Sequence, residues 1–423
     1  MSSVRTPDLF GPEFDFTDPD RMQQQGPPVE QFARLRRTAP VWWNSQTDGR
    51  SGGFDDGGFW VVSKHADIRA ISRDSDAWST NDNGVIVRHS DTISKDELES
   101  TKSIFINQDP PNHTRLRNLV SRLFTPRAVA ALEDKLRETA NVIVRRAVQR
   151  GSGDFVSDIA VELPLSAIAD LLGVPASDRA KLFHWSNSMM NVDDPEYGGS
   201  EYSGATEASA ELFAYAYEMA EQRKKNPTND IISVLVNVDA DGEQLSELEF
   251  GFFVLLLVVA GNETTRNAIT HGMLAFTSNR DQWELYKRER PMTAASEIVR
   301  WATPVSVFQR TARHDVTVGD VTIAAGQRVG LFYGSANFDE EVFVEPYTFN
   351  VLRDPNPHLA FGGTGIHYCI GANLARMEID LMFNAIADVV PDIAVTGEPR
   401  RLRSPWLNAI KELSVDYGTP AAR

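Results

Sequence analysis

The sequence predicts a mainly α-helical fold with small β regions, built as one large domain. Three observations carry this. Residues from about 112 to 255 repeat apolar positions at helical spacing, most clearly over 129–150, where apolar and charged residues alternate near a period of about 3.6. Residues 246 to about 276 read as one helix, roughly 46 Å long at ~1.5 Å per residue. Strand signals are short and confined to 41–62 and 316–329. The composition, 42% hydrophobic and 24% charged with 22 Phe in 423 residues, is that of a globular chain and not a disordered one.

The elements follow in order. Residues 1–30 are polar, rich in Pro and Gln, and read as an irregular N-terminal arm on the surface. Residues 31–423 form a single domain, because no internal repeat, low-complexity tract or linker divides them. A short helix is predicted over 31–37. VWW at 41–43 and GGFWVV at 57–62, separated by a Gly- and Asp-rich stretch, predict two strands joined by a turn-rich loop. Residues 64–75 read as a short helix. Residues 79–107 are polar and irregular, with apolar points at Val85, Ile86, Ile104 and Phe105, and loops of that length are often functional. VELPLSAIADLLGVP at 161–175 predicts a helix ending at Gly173 and Pro175. Another covers 205–225, is broken by Asn226 and Pro227, and Asp230 restarts the helical pattern. VTVGDVTIAAGQRV at 316–329 reads as a Gly-punctuated strand pair. Residues 337–368 are mostly non-helical. From Gly371 the spacing of Leu374, Met377, Ile379, Leu381 and Met382 is helical again.

Charge and cysteine usage narrow the function. Acidic residues number 59 and basic residues 42, a formal net charge of -17. That balance disfavours a nucleic-acid partner or an anionic-membrane surface. The N-terminus lacks a basic start followed by an apolar run, so neither a secretion signal nor an anchor is expected. In the long helix, Glu249 and Glu263 bracket too short an apolar run for a lipid span. A cytoplasmic chain without a transmembrane segment is the expectation. The single cysteine excludes an intramolecular disulfide and any zinc or iron–sulfur site needing two cysteines from this chain. Cys369 is left with packing, nucleophilic chemistry or ligation of one metal.

Two local patterns need a chemical reason. The first half of the long helix, GFFVLLLVVAG, is apolar all round and should be buried on all sides. Its second half carries Asn262, Glu263, Thr264, Thr265 and Arg266, a polar cluster that is costly inside a core unless paired. Either the helix end emerges into solvent or the helix crosses a cavity. Cys369 sits where a glycine-rich loop enters a helix. Backbone N–H groups there favour negative charge, stabilise thiolate and lower the thiol pKa. Glycines at 362, 363, 365 and 371 let backbone approach closely. These features suit a thiolate facing a flat, bulky ligand. They also suit a nucleophilic cysteine with His367 as its base.

FGGTGIHYCIGANLAR at 361–376 resembles the haem-binding loop of the cytochrome P450 superfamily, with the match on Phe361, Gly362, Gly363, Cys369 and Gly371 and with His367 two positions before the cysteine. Further matches come in the family's order. His113 and Arg117 resemble its His-x-x-x-Arg. AGNETT at 260–265 resembles its central-helix signature through Ala260, Gly261, Glu263 and Thr264. Glu297 and Arg300 resemble its Glu-x-x-Arg, and Arg310 its following arginine. The family's Asn-Arg-Asp stretch reads Asn337, Phe338, Asp339 here, which leaves the third partner of Glu297 and Arg300 undefined. The resemblance covers the chain from about residue 30.

It implies the haem-thiolate fold of that superfamily, a triangular prism around a long central helix (its I helix), and heme b (iron protoporphyrin IX) as cofactor. Cys369 would be the metal ligand. Phe361, Gly363, Gly371, His113, Arg117, Arg310 and His367 would hold the cofactor, the basic ones through its propionates. Ala260 and Gly261 would leave room for O2, and Glu263 and Thr264 would handle protons. Glu297 and Arg300 would brace the haem loop. No flavin or nicotinamide fingerprint is visible, so electrons would come from a ferredoxin and its reductase.

The candidate pocket residues Val85, Ile86, Ile104, Val258, Val305 and Val307 are all apolar, which suits a large apolar substrate. TAPVWWN at 38–44, DGGFWVVSKHADI at 56–68, NGVIVR at 83–88 and SANFDEEVF at 335–343 resemble a narrower group, the actinobacterial steroid side-chain hydroxylases. That resemblance implies a monooxygenase acting on the terminal methyl of cholesterol or cholest-4-en-3-one. The alternatives are an omega-hydroxylase of methyl-branched fatty acids or isoprenoids and, from a different class, a non-catalytic haem sensor or carrier. The Glu263–Thr264 pair argues against the last, because binding alone needs no proton delivery.

Overall fold

The computed structural model of the chain describes residues 9–11, 13–46, 51–90, 93–190, 193–198, 203–237 and 245–418. Helices α1 (Pro19–Gln25) and α2 (Val29–Thr38) lead into strands β1 (Val41–Ser45) and β2 (Gly58–Val62), helix α3 (His65–Arg73) and strand β3 (Trp78–Ser79). Helices α4 (Lys95–Thr101), α5 (Asn112–Ser121), α6 (Pro126–Ala130) and α7 (Glu133–Val148) follow, then strand β4 (Ser152–Asp154). Next come α8 (Glu162–Leu172), α9 (Arg179–Met190), α10 (Pro195–Gly198), α11 (Ser203–Lys225), α12 (Ile231–Asn237) and α13 (Glu247–Ser278). Helices α14 (Arg280–Glu289) and α15 (Ala294–Ala302) precede strands β5 (Val307–Ala312), β6 (Val316–Val318), β7 (Val321–Ile323) and β8 (Arg328–Phe332). Helices α16 (Tyr333–Ala336) and α17 (Ala372–Val389) and strands β9 (Ala394–Val395), β10 (Arg400–Arg401), β11 (Ile410–Glu412) and β12 (Ser414–Asp416) complete the chain.

The predicted helices and strands form with local causes that can be named. Helix α13 starts at a reciprocal cap in which Ser246 accepts from the Glu249 amide and Glu249 accepts from the Ser246 amide. Helix α8 stops at Gly173, whose left-handed backbone lets its amide reach the Asp170 carbonyl. Among the described residues the strands assemble into a five-stranded sheet ordered β1-β2-β8-β5-β3, with β2 and β8 parallel, and three smaller sheets. One core lies where α7, α13, α15 and α17 meet, and a second where α8, α9, α11 and α13 meet. Helix α13 is long and apolar enough to cross a membrane, but it is the axis of both cores.

Three expectations change. The arm at 1–30 is not wholly irregular: within its described part, Asp18 caps α1, and Phe16 is buried against Phe32 and Trp42. Residues 1–8 and 12 lie outside the described residues. The loop at 79–107 contains α4, which has its own reciprocal cap between Ser94 and Glu97. The apolar half of α13 is not buried on every side. Leu255, Leu256 and Val259 are half-buried and Ala260 is exposed, whereas the polar half from Asn262 to Arg266 is buried except for Thr264. The helix crosses a cavity, and residues of both its halves line the wall.

Glu297 settles the partner that the sequence left undefined. Glu297 and Arg300 are both 0% exposed and pair through Arg300 Nε and Nη2 at 2.8 Å each. The second cation is Arg353, whose Nε lies 3.1 Å from Glu297 Oε2. The Asn350 amide and Asn356 Nδ2 also donate to the carboxylate. The two guanidiniums then bind backbone carbonyls of Asn337, Val344, Glu345, Pro346 and Thr348, fixing the non-helical stretch before the cysteine loop. Phe338, where the family has arginine, lays its ring 5.1 Å from the Arg300 guanidinium. Asn337 passes the anchoring on: its Oδ1 accepts from the Leu359 amide at 2.7 Å, two residues before Phe361. Removing one partner of a buried ion network leaves an uncompensated charge and costs about 3–5 kcal/mol. Arg353→Met is therefore expected to lower the unfolding free energy by about that amount, read as a lower urea midpoint at unchanged m, and to loosen the cysteine loop. An unchanged midpoint would contradict the network's role.

Candidate active site

The cysteine loop is shaped by its own backbone. The Cys369 amide donates to the Phe361 carbonyl at 2.9 Å, folding 361–369 back on itself, and the Gly362 amide donates to Leu359. Gly365 has φ +88, and a Cβ there would stand 2.3 Å from the Ser72 carbonyl oxygen. A Cβ on Gly363 would meet the Ser72 hydroxyl at 2.3 Å. Gly363 thus serves the close packing of this loop on α3, more than the ligand approach expected of it. At Gly371 a Cβ would meet only Cys369 Sγ, at 4.0 Å. The Phe361 ring is held under the Arg376 guanidinium at 4.5 Å.

Cys369 is enclosed by protein yet its side chain is accessible, because it opens onto an internal cavity. Burial pushes its thiol up from the ordinary value, against the opposing pull of the Gly371 amide and of Arg117 and Arg376. The helix N-terminus alone predicted a lowered value. In the protein without a bound cation, loss of hydration outweighs the amide.

The cavity has a volume of about 240 Å³. Helix α13 forms one wall through Phe253, Leu256, Leu257, Ala260, Gly261, Thr264, Thr265 and Ala268, a stripe of helical period. Gly261 also makes room for Ile168 of α8, whose Cδ1 would stand 2.3 Å from a Cβ. Val85 and Val305 line the cavity as expected. Ile86, Ile104, Val258 and Val307 are not among its lining residues. Val258 lies off the α13 stripe and is buried in the core. Val307 sits on the opposite face of β5 from Phe308 and Arg310, which line the cavity, because side chains alternate along a strand. The turn at Phe105–Asn107 presents Phe105 and Ile106 in place of Ile104.

His113, Arg117, Arg310 and His367 converge at one end of this cavity. Arg117 donates to the Tyr368 carbonyl at 2.8 Å and Arg310 to the Gln309 carbonyl at 2.7 Å. Neither forms an ion pair with a carboxylate among the described residues. The His113 and His367 rings lie 4.2 Å apart, and Phe105 stacks on His113 at 4.7 Å. Burial, reinforced by the two arginines, lowers His113 to about 4 and His367 well below its ordinary value. His113 Nδ1 is buried without a hydrogen-bond partner. This is a donor set that wants anions.

The proton-handling pair is split by the fold. Thr264 lines the cavity and donates to the Ala260 carbonyl at 2.8 Å, so it turns lone pairs toward the space in front of Cys369. Glu263 is fully buried and is not a lining residue; one oxygen is paired with Arg266, which also reaches Asn187 of α9, and Oε1 has no partner. Burial raises its pKa and Arg266 opposes that. Sequence reading missed Glu378 of α17, which does line the cavity and is 1% exposed. Its signal was an acid set in the apolar stripe of Leu374, Leu381 and Ala385.

These residues fit an iron porphyrin carrying carboxylates. Among the described residues no three metal-ligating side chains cluster, so a metal beside Cys369 needs its other ligands from a non-protein group. The cationic end matches two carboxylates, and the remaining walls are apolar. The Cytochrome P450 family profile matches residues 291–387. A Mycobacterium tuberculosis steroid C26-monooxygenase is 57% identical over 416 residues, 98% of this chain and 95% of the relative. A methyl-branched lipid omega-hydroxylase of the same species is 41% identical over 394 residues, 91% of this chain and 90% of the relative. The structure of the Mycobacterium marinum cytochrome P450 CYP268A2 in complex with pseudoionone superposes with a TM-score of 0.90 at 36% identity, covering 98% of this chain and 100% of that one. Cys369→Ala is expected to abolish the thiolate-type absorption band of the ferrous–carbon monoxide complex; its persistence would remove Cys369 as ligand. Arg117→Gln is expected to speed haem transfer to a competing apoprotein, and an unchanged rate would remove Arg117 from the propionate site.

Proposed function

The chain belongs to the cytochrome P450 family and is a haem-thiolate monooxygenase using heme b, O2 and electrons from a redox partner; from that premise we propose that it hydroxylates the terminal methyl of a cholesterol or cholest-4-en-3-one side chain. One observation carries the substrate reading beyond the likeness to steroid C26-monooxygenases. Away from Cys369 the lining is apolar: Val85, Phe105, Ile106, Phe253, Leu256, Leu257, Val305 and Phe308. The cationic lining residues, Arg117 and Arg310, belong to the set taken up by the haem carboxylates. A free fatty-acid carboxylate would therefore enter an apolar wall without a partner, at high desolvation cost, whereas a sterol brings one neutral polar group. The omega-hydroxylase reading is kept as the second because of the 41% identical relative.

When bound, haem supplies the iron on which O2 is activated, with thiolate ligation favouring O–O cleavage. The chain's own residues do the rest. Ala260 and Gly261 leave space on the α13 wall. The Thr264 hydroxyl, donating to the Ala260 carbonyl, would offer its lone pairs to a hydrogen-bond donor in the space before Cys369. Glu263 holds a proton position on the α9 side of the helix, restrained by Arg266. The apolar wall orients the substrate chain and excludes water, so that the terminal methyl meets the iron.

Electrons come from a ferredoxin and its reductase in this reading, which places the enzyme in the cytoplasm. Arg69 and Arg73 of α3, Arg122 and Arg127 are exposed and form no ion pair among the described residues. They lie on segments packed around the cysteine loop: α3 touches Gly363 and Gly365, and α6 packs on α17. On a chain of net charge -17 they offer a local basic surface to an acidic electron carrier. The rate of first reduction by ferredoxin should fall as salt rises, and a salt-indifferent rate would remove that surface from docking. For the substrate, titration with cholest-4-en-3-one should shift the iron to high spin at lower concentration than a methyl-branched fatty acid does, and the product should carry the terminal hydroxyl. A tighter response to the fatty acid with no steroid product would select the second reading.

A further inference from the structure

The described part of the N-terminal arm carries a buried acid. Asp15 is 4% exposed and lies 3.1 Å from the guanidinium of Arg88, which is 9% exposed. The same carboxylate accepts from the Thr17 amide and hydroxyl at 2.7 Å each and from Asn44 Nδ2 of β1 at 3.0 Å. Asn44 returns the contact by accepting from the Phe16 amide at 2.9 Å. A buried carboxylate is stable when it is paired and hydrogen-bonded, and these partners lie on the arm, on β1 and at Arg88. The arm is thereby fastened to the backbone run that ends at Arg88.

That run is a wall of the cavity outside any strand. Val85 lines the cavity; its carbonyl accepts from the Gln309 amide of β5 at 2.8 Å, and its amide donates to Asn107 Oδ1 at 2.9 Å. The Val87 carbonyl accepts from Arg328 of β8 at 2.9 Å. Arg88 follows directly, so the ion pair with Asp15 fixes the end of the same run. Apolar packing reaches the wall from the arm as well. Phe16, Val87 and Val307 share one core cluster, and Trp406 packs against it. Val307 precedes Phe308, and Trp406 stacks on Phe308 with ring centroids 6.0 Å apart. Phe308 lines the cavity too. Close-packed interiors transmit displacement instead of absorbing it. Two lining residues are therefore backed by what the arm places behind them.

We propose that the N-terminal arm is a specificity element: through Asp15–Arg88 and Phe16 it holds the wall at Val85 and Phe308 in the shape that selects the substrate. Asp15 is a positioning residue, because it touches neither substrate nor cofactor. The inference rests on reading this cavity as the site of a neutral lipid. An apolar wall has no polar group with which to recognise such a molecule, so discrimination comes from fit, and fit requires a wall that does not yield.

The test uses the haem-loaded enzyme with Asp15→Asn, which removes the charge and keeps the shape, and Phe16→Leu, which disturbs the packing and leaves the ion pair. Without substrate, hydrogen exchange over residues 83–89 should speed several-fold in Asp15→Asn, while the cysteine loop at 361–371 exchanges as in the wild type. In spin-shift titrations the dissociation constant for cholest-4-en-3-one should rise several-fold in both variants. The preference for it over a linear fatty acid should fall, with turnover at saturation unchanged. Unchanged exchange over 83–89 would overturn the proposal. So would a preference that stays at the wild-type value while the urea midpoint falls, since the arm would then only stabilise the fold. A wild type that gives no spin shift with the sterol would refute the substrate reading. The preference is then measured between a methyl-branched and a linear fatty acid, with the same loss expected and the same result overturning the role of the arm.

Discussion

The carboxylate of Glu297 is the interaction on which the rest of this site depends. A single fully buried anion neutralised by one arginine would leave lone pairs unsatisfied; here two guanidiniums and two further N–H donors fill them. The arginines have donors to spare, and these fall on five carbonyls of a segment with almost no secondary structure of its own. A stretch that could not hold its shape by ladders or helical turns is held by charge-assisted hydrogen bonds instead. Its last anchor is the Asn337–Leu359 contact, from which the cysteine loop departs. The approach to the cysteine loop is thus set by a buried ion network outside the cavity lining.

The cavity is polarised by the same logic of unmet pairing. Arginines usually enter a protein interior with a carboxylate of the chain beside them. Arg117 and Arg310 enter with backbone carbonyls only, and two neutral histidines stand among them. Such an arrangement is stable when the counter-anion arrives with the cofactor. The apolar remainder then has no charge to offer a substrate, and this favours a neutral, bulky lipid over an ionised one. On the distal wall, α13 turns its small and hydroxylic residues inward and sends its charged ones to α9, so the helix separates the space for oxygen from the buried ion pair.

Much of this was legible in the sequence. The start of α13 at Ser246 and the stop of α8 at Gly173 are local chemistry written in adjacent letters, whereas α4 and its cap at Ser94 lie in a stretch that reads as loop. Cys369, Thr264, His113, Arg117, Arg310 and His367 are picked out by the specific spacing of their motifs, and all six line one cavity. The pocket list was only partly legible. Val258 and Val307 have the right composition but the wrong phase, since a rotation of about 100° per residue on a helix, or the alternation of a strand, turns a neighbour into core. Arg353 was missed because nothing local distinguishes an arginine that will meet a glutamate 56 positions earlier.

The sequence by itself determined the candidates for the chemistry: one thiol in a glycine-rich loop, with a family resemblance that implies ligation, and a polar break in an apolar helix that marks either a helix end or a helix crossing a cavity. Tertiary structure decided the assignment of roles around it. It turned Glu263 away into a salt bridge and brought Glu378, over a hundred residues distant, to the cavity wall. It gave Gly363 to the packing of α3 and dehydrated the Cys369 thiol, which raises its pKa. The physical reason is common to all of these. Hydration, and therefore charge state, depends on what the rest of the chain places within a few ångströms, which spacing along the sequence does not encode.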